Sequence, residues 1–478
     1  MSQDLGRKAT LDDIPDSELD RFAEMGFDWI WLLSVWTTGL IGQKISRQQP
    51  DWVRDYEATL PDLKQEDIAG SGFAIADYHV SPELGGDVAL KRLRERLLNY
   101  GLKLMLDFVP NHMGPDHPWV EYHPDYFVKG KEHDLEAFPQ NFFRKIQKQG
   151  DLIFAYGRDP YFSGWPDTVQ LDYSNQETVE AMTKELVRIS DQCDGLRCDM
   201  AMLVLPEIFE KTWGRKALSF WPELINLVRK KHADFCFMAE VYWDMEWTLQ
   251  QLGFDYTYDK RLYDRLEEGQ SRAVREHLYA GLDYQNKMVR FLENHDESRA
   301  ASTFEPDQQK AAAIITYLSP GLRFFHQGQF EGRKKRISPH LIRAPKEPID
   351  INILKFYTQL LSIIKKPVFR DGQWKLLECV EAREGNDSWG FLIAYAWEEP
   401  DGLSMLVVVN YGPTASQGYV HLPFSYLEGK SVRFSDTMSN TLIDSNGIDL
   451  LEKGLFFELP GWGYNIFDVR PGRSKRPK

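Results

Sequence analysis

The stretch DGLRCDMAM, residues 194–202, makes conflicting demands. It has the apolar character of a buried strand, yet it carries Asp194, Arg197 and Asp199. Taking an unpaired charge out of water is costly, so such groups are paired or kept for chemistry. Three other stretches share the design. LMLDFVPNH (104–112), FCFMAE (235–240) and MVRFLENHD (288–296) are apolar runs that end in polar residues. Those ends hold Asp107, Asn111 and His112, then Glu240, then His295 and Asp296.

Amphipathic helical segments lie between these runs. DSELDRFAEMG (16–26) precedes WIWLL (29–33), and GDVALKRLRERLLNYG (86–101) precedes the 102–110 strand, with Leu90, Leu93 and Leu97 on one face and Gly101 as a stop signal. SNQETVEAMTKELVRIS (174–190) reads as a helix with a Ser174–Glu177 capping box and an apolar face of Val179, Met182, Leu186 and Ile189. The alternation continues through 219–231, 254–259, 308–319, 322–328 and 353–366. Near-continuous apolar strands alternating with helices predict a parallel sheet covered on both faces, and at this length a (β/α)8 TIM barrel. The first strand is not clear, because MSQDLGRKAT lacks the β-branched and aromatic residues that a strand favours.

The expected organisation is a barrel formed by 1–112 and 173–368, with an irregular insertion at 113–172. A small C-terminal antiparallel β-sandwich domain follows at 369–470, and a disordered basic tail at 471–478. In such a barrel the strand C-termini converge on one face, where active sites lie. The carboxylates Asp199, Glu240 and Asp296, two histidines and an arginine are thereby expected in one cleft.

Composition excludes several other roles. The net charge of −15 over 478 residues argues against a nucleic-acid-binding surface. No apolar run approaches the length of a membrane span, and the first twenty residues have no apolar signal core. Cys193, Cys198, Cys236 and Cys379 form no CxxC pair and read as buried apolar residues, which predicts a cytoplasmic protein. The 14 Trp and 21 Tyr suit a large core as well as a sugar-stacking cleft.

Taken together, the four motifs resemble those of the alpha-amylase superfamily, glycoside hydrolase family 13, in order and in spacing. The resemblance implies that Asp199 is a nucleophile forming a covalent glycosyl-enzyme and that Glu240 is the general acid and base. It makes Asp296 the stabiliser of an oxocarbenium-like transition state. Arg197 would orient Asp199, and His112 and His295 would hydrogen-bond the sugar. Asp107 reads as a structural support for Arg197. In SGFAIADYHVSPELGG (71–86) the resemblance puts the stacking ring on Phe73 and makes Asp77 and Tyr78 candidate substrate contacts. Arg343 is a further candidate substrate contact, and Asp159, Tyr161, Phe162 and Trp165 could form one cleft wall.

Phe73 stands where the family usually has a tyrosine, Ala74 where enzymes removing single terminal glucose units often carry an aspartate, and two positions after Asp199 also depart from the family pattern. Three and four residues after Asp199, where many members carry Lys and His, this chain has Met202 and Leu203. Many members also bind calcium near the position of Asn111, but no set of six oxygen ligands can be assembled here, so no metal or other cofactor is expected. The implied partner is a carbohydrate, with no nucleic acid and no membrane. The implied activity is retaining hydrolysis of α-glucosides or short α-glucans. The alternatives are a transglycosidase and a non-catalytic carbohydrate-binding protein on a degenerate barrel.

Overall fold

The computed structural model describes residues 5–146, 150–400 and 402–471. The expected alternation is realised in seven strands and eight main helices. In chain order these are α1 (Asp16–Met25), β1 (Trp29–Trp31), α2 (Gly86–Asn99), β2 (Lys103–Phe108), α3 (Gln176–Ser190), β3 (Gly195–Cys198), α4 (Trp221–Lys231), β4 (Cys236–Ala239), α5 (Glu246–Gln251), β5 (Tyr256–Tyr258), α6 (Lys260–Glu267), β6 (Met288–Arg290), α7 (Pro306–Leu318), β7 (Leu322–Arg323) and α8 (Ile351–Ile364). Among the described residues before α1 there is no strand.

The described residues form two compact units, one within 1–258 and 337–345, the other within 259–336 and 346–471. In the first unit, β1 to β5 form a parallel sheet in chain order. Every residue of β3 and β4 is buried, as is β2 beyond Lys103. Burial on both faces explains why these strands read as continuous apolar runs rather than alternating ones. Gly101 stops α2 as expected, at φ +74°, where a side chain would be strained. Asp194 ties the elements together. Its Oδ2 accepts from Leu104 N at 2.8 Å and its Oδ1 from Arg94 Nη2 at 2.7 Å, so β3 is fastened to β2 and α2 before it enters the core.

The cap of α3 differs from expectation. Asn175 is the N-cap and accepts from Glu177 N at 3.0 Å, while the Ser174 hydroxyl donates to Asp172 instead. The helix buries Thr178 with Met182, Leu186 and Ile189, and Val179 is only half-buried. The 113–172 region is also more regular than its sequence implies. His112–Met113 pairs antiparallel with Val169–Gln170, and Phe142–Lys145 with Leu152–Ala155.

In the second unit β6 and β7 run parallel. The strands that follow are β8 (Gln373–Leu377), β9 (Cys379–Val380), β10 (Leu392–Glu399), β11 (Gly402–Asn410), β12 (Ser416–Val420), β13 (Ser431–Asp436), β14 (Leu442–Asn446), β15 (Leu455–Leu459) and β16 (Tyr464–Pro471). They form a six-stranded antiparallel sheet, β8-β10-β11-β16-β13-β14, and a three-stranded one, β9-β12-β15. Leu406, Val420, Phe434, Phe457 and Phe467 fill the shared core. Tyr395 Oη and Trp397 Nε1 reach α7, donating to Ile314 O and Leu318 O at 3.0 and 2.8 Å. The expected tail overlaps the described chain only at Pro471; residues 472–478 lie outside the described residues.

Candidate active site

The site is built around Arg197, which is fully buried on β3. Its neighbours on the adjacent strands are set by register: Arg197 stands opposite Asp107 on β2 and Met238 on β4. Asp199 and Glu240 follow directly beyond β3 and β4. The guanidinium carries three carboxylates. Nη1 donates to Asp199 Oδ1 at 2.7 Å and reaches Asp107 Oδ1 at 3.5 Å. Nη2 makes an ion contact with Glu240 Oε2 at 2.8 Å. Trp31, Phe73 and Tyr258 surround the guanidinium with ring centroids at 5.3, 5.4 and 5.7 Å, a wall of π faces that favours a cation.

Each carboxyl group has a different environment. Asp107 is fully engaged by its own scaffold: Oδ2 accepts from Ser34 N at 2.9 Å and Trp31 Nε1 at 3.2 Å. Burial pushes its carboxyl up to about 6 against the pull of Arg197. The Glu240 Oε2 accepts from Met200 N at 2.8 Å and Oε1 from the Tyr242 hydroxyl at 2.9 Å. Burial pushes Glu240 up to about 7. Arg197 opposes this shift, and the Asp199 charge adds to it. One carboxyl near neutrality beside another that holds the opposite terminal nitrogen of a shared arginine is the arrangement that separates an acid from a nucleophile.

His112 is buried and neutral, its titration pushed down to about 3 by burial. Its ring lies 5.3 Å from Trp165. Gly157 permits the packing, since a Cβ there would meet His112 Cβ at 2.8 Å. The Asn111 Oδ1, which the resemblance would offer to calcium, accepts from Gln170 Nε2 at 3.0 Å. Among the described residues no group of three or more His, Cys, Asp or Glu is placed to hold a metal.

The family description "Alpha amylase, catalytic domain" matches residues 11–347, well over half of the chain. The chain belongs to the alpha-amylase family. Among curated relatives of the family, an alpha-amylase of Haloarcula japonica is 23% identical over 58% of this chain and 39% of its own length. A 4-alpha-glucanotransferase of Thermotoga maritima is 22% identical over 69% of this chain and 70% of its own length. This chain spans less than two thirds of several curated relatives, from 20% to 60%. Of the solved structures, a noncanonic maltogenic alpha-amylase from Thermotoga neapolitana superposes with a TM-score of 0.66 at 20% identity, covering 95% of this chain and 92% of that one. The fold is therefore an alpha-amylase fold.

The other family-motif residues divide into two groups. Phe73 joins the cluster through Arg197. Tyr78 does not: its ring is buried against Trp36 and Phe108, and its hydroxyl is spent on the Val109 backbone at 2.9 and 3.0 Å. Asp77 is exposed and bound to His79 Nδ1 at 2.7 Å. Arg343 is held by Asp67 and Asp62 at 2.7 and 3.0 Å rather than by the carboxylate cluster. In the second unit, His295 is buried, and its Nε2 lies 3.1 Å from Oδ2 of the half-exposed Asp296. The turn that holds Asp296 is set by Asn294 Oδ1, which accepts from Asp296 N and Glu297 N at 2.9 and 2.8 Å. Glu293 is a buried anchor for Arg299 at 2.6 Å.

Three site residues were not singled out by the sequence. Tyr242 sits two positions beyond Glu240, so its spacing on an extended segment was a usable signal. Trp31 and Tyr258 end β1 and β5, the same strand ends that marked the acidic residues. No helix among the described residues is long and apolar enough to cross a membrane.

Proposed function

We propose that the chain is a retaining enzyme of α-glucosidic bonds, acting on α-glucosides or short α-glucans. The observation that carries this reading is Arg197 holding Asp199 on one terminal nitrogen and Glu240 on the other, with Glu240 pushed up to about 7. Retention needs two carboxyl groups about 5–5.5 Å apart, one ionised and one protonated. A shared guanidinium keeps the pair close, and burial holds Glu240 toward its protonated form.

In this reading Asp199 attacks the anomeric carbon as Glu240 gives its proton to the departing glycosidic oxygen. The anionic Glu240 then takes a proton from an incoming hydroxyl, which displaces Asp199 and restores both groups. Arg197 orients Asp199 and keeps it ionised. The neutral His112 hydrogen-bonds the sugar, and Phe73 lies against it. The FLENHD motif supports the assignment of Asp296 as the third carboxylate and of His295 as a sugar contact. Water and a sugar hydroxyl are both chemically competent as the incoming group. Transfer to a sugar is the second reading, favoured by the glucanotransferase among the relatives. Four buried free cysteines support a cytoplasmic location.

The test is a product profile from maltose, maltotetraose, sucrose, trehalose and isomaltose, with Glu240→Gln alongside. Glucose or short oligosaccharides from wild type alone establish hydrolysis and name the linkage, and longer products establish transfer. A folded wild type that leaves all five sugars intact sinks the proposal.

A further inference from the structure

Glu240 lies directly beyond β4, and its two oxygens have partners of different kinds. Oε2 accepts from Met200 N at 2.8 Å and lies 2.8 Å from Arg197 Nη2. A backbone amide and a guanidinium carry protons and accept none, so a proton on Oε2 would face two N–H groups. Both partners are fixed. Met200 follows Asp199 at φ +40°, a left-handed conformation that a non-glycine residue keeps only where its surroundings enforce it. The main chain fastens this turn to Glu240 as well: Ala201 N donates to Glu240 O at 2.9 Å, and Glu240 N to Cys198 O at 3.0 Å. Arg197 is fully buried on β3, between β2 and β4.

Oε1 has a partner that can do more. Tyr242 Oη lies 2.9 Å from it, and a hydroxyl both donates and accepts. The one contact therefore serves both states of the carboxyl group. An ionised Oε1 accepts from the Tyr242 hydroxyl. A protonated Oε1 donates to Tyr242 Oη once the hydroxyl has turned about its C–O bond. Among Met200 N, Arg197 Nη2 and Tyr242 Oη, only the hydroxyl can make that exchange.

Resting on the proposed function, we infer that Tyr242 is a positioning residue that keeps the proton of Glu240 on Oε1 and so makes Oε1 the oxygen that serves the leaving group. In the free enzyme Oε1–H points to Tyr242 Oη. The arriving glycosidic oxygen replaces Tyr242 as the acceptor of that O–H, and the Tyr242 hydroxyl turns to donate into Oε1. As the O–H bond breaks, its proton passes to the departing oxygen and its electron pair stays on Oε1. The hydrogen bond from Tyr242 then becomes charge-assisted and stronger. An interaction that strengthens as charge develops lowers the barrier instead of only binding substrate. In the second half-reaction Oε1 takes the proton of the incoming hydroxyl, and the Tyr242 hydroxyl returns to accepting. Tyr242 keeps its own proton throughout.

Tyr242→Phe removes the hydroxyl and keeps the ring. The other groups that bear on Glu240 are Arg197 and Asp199 from β3 and its end, Asp107 from β2, and Tyr258 from β5 beside Arg197, and the variant leaves all four in place. Losing a donor to the ionised form raises the titration of Glu240. The alkaline limb of kcat/KM on maltotetraose is therefore expected to move up by at least about half a pH unit. On the plateau kcat is expected to fall about tenfold or more while KM changes less than about twofold. On α-maltosyl fluoride, where fluoride departs with little help from an acid, the loss should stay below about threefold. A further measurement needs no turnover. The Tm difference between Tyr242→Phe and Tyr242→Phe/Glu240→Gln should change at a higher pH than the difference between wild type and Glu240→Gln. An unmoved alkaline limb, or equal losses on the two substrates, overturns the role of Tyr242 and leaves the retaining reading intact. A wild type inert on both substrates overturns the proposed function and that role with it.

Discussion

Removing the Arg197 guanidinium leaves Asp107, Asp199 and Glu240 without their shared counter-charge, and all three are buried. Breaking a buried ion pair from one side costs about 3–5 kcal/mol. Arg197→Met is therefore expected to lose stability of that order in urea unfolding, as well as activity. A loss below about 1 kcal/mol would show that the cluster is wet. Gly157→Ala tests the other wall: with a Cβ at 2.8 Å from His112 Cβ, the histidine must shift, so turnover is expected to fall about tenfold or more and stability by about 1–3 kcal/mol, the usual cost of overpacking. An unchanged kcat would release His112 from any role. Single residues were also where the sequence was hardest to read. Asp199 and Glu240 were legible because a carboxylate that ends an apolar strand is costly to bury unless it is paired or used. Tyr78 was not, because an aromatic inside a motif looks the same whether its hydroxyl faces a ligand or, as here, the Val109 backbone.

Among elements, β2, β3 and β4 were readable because both faces of each strand are buried, which leaves continuous apolar runs. The short ladders at 112–113 with 169–170, and at 142–145 with 152–155, were not readable, since two to four residues carry no period. The cap of α3 was misplaced by one residue because Ser174 and Asn175 are both good caps, and only the engagement of Ser174 by Asp172 decides between them. The two variants separate them. Asn175→Ala is expected to cost about 1 kcal/mol of stability, the usual value of an N-cap. Ser174→Ala should cost clearly less, and the reverse order in thermal melts would restore the Ser174 capping box.

For the molecule as a whole, the raised titration of Glu240 links the proposed activity and the stability to the same proton. Its folded value, about 7, lies above the ordinary 4.5. The folded state thus holds a proton that the unfolded state releases. The stabilising contribution is fully present below about pH 4.5 and is lost as pH rises through about 7. Glu240→Gln removes the titration, so its Tm relative to wild type is expected to climb between about pH 4.5 and 7.5. A difference that stays constant across that window would mean Glu240 is ionised throughout. The wild-type rate should decline on the alkaline side from about pH 7 as the proton donor is lost.

The antiparallel rungs joining His112–Met113 to Val169–Gln170 place the entry and exit of the long excursion side by side. Gln170 Nε2 bonds both Asn111 O and Asn111 Oδ1, at 2.9 and 3.0 Å, and closes the gate. A segment with such a narrow stem behaves as a cassette. Its interior can be lengthened, shortened or exchanged for another at little cost in chain entropy, because the stem holds the ends together whatever lies between them. Laboratory grafting at this stem is thus a way to exchange the excursion while leaving the Arg197 core untouched.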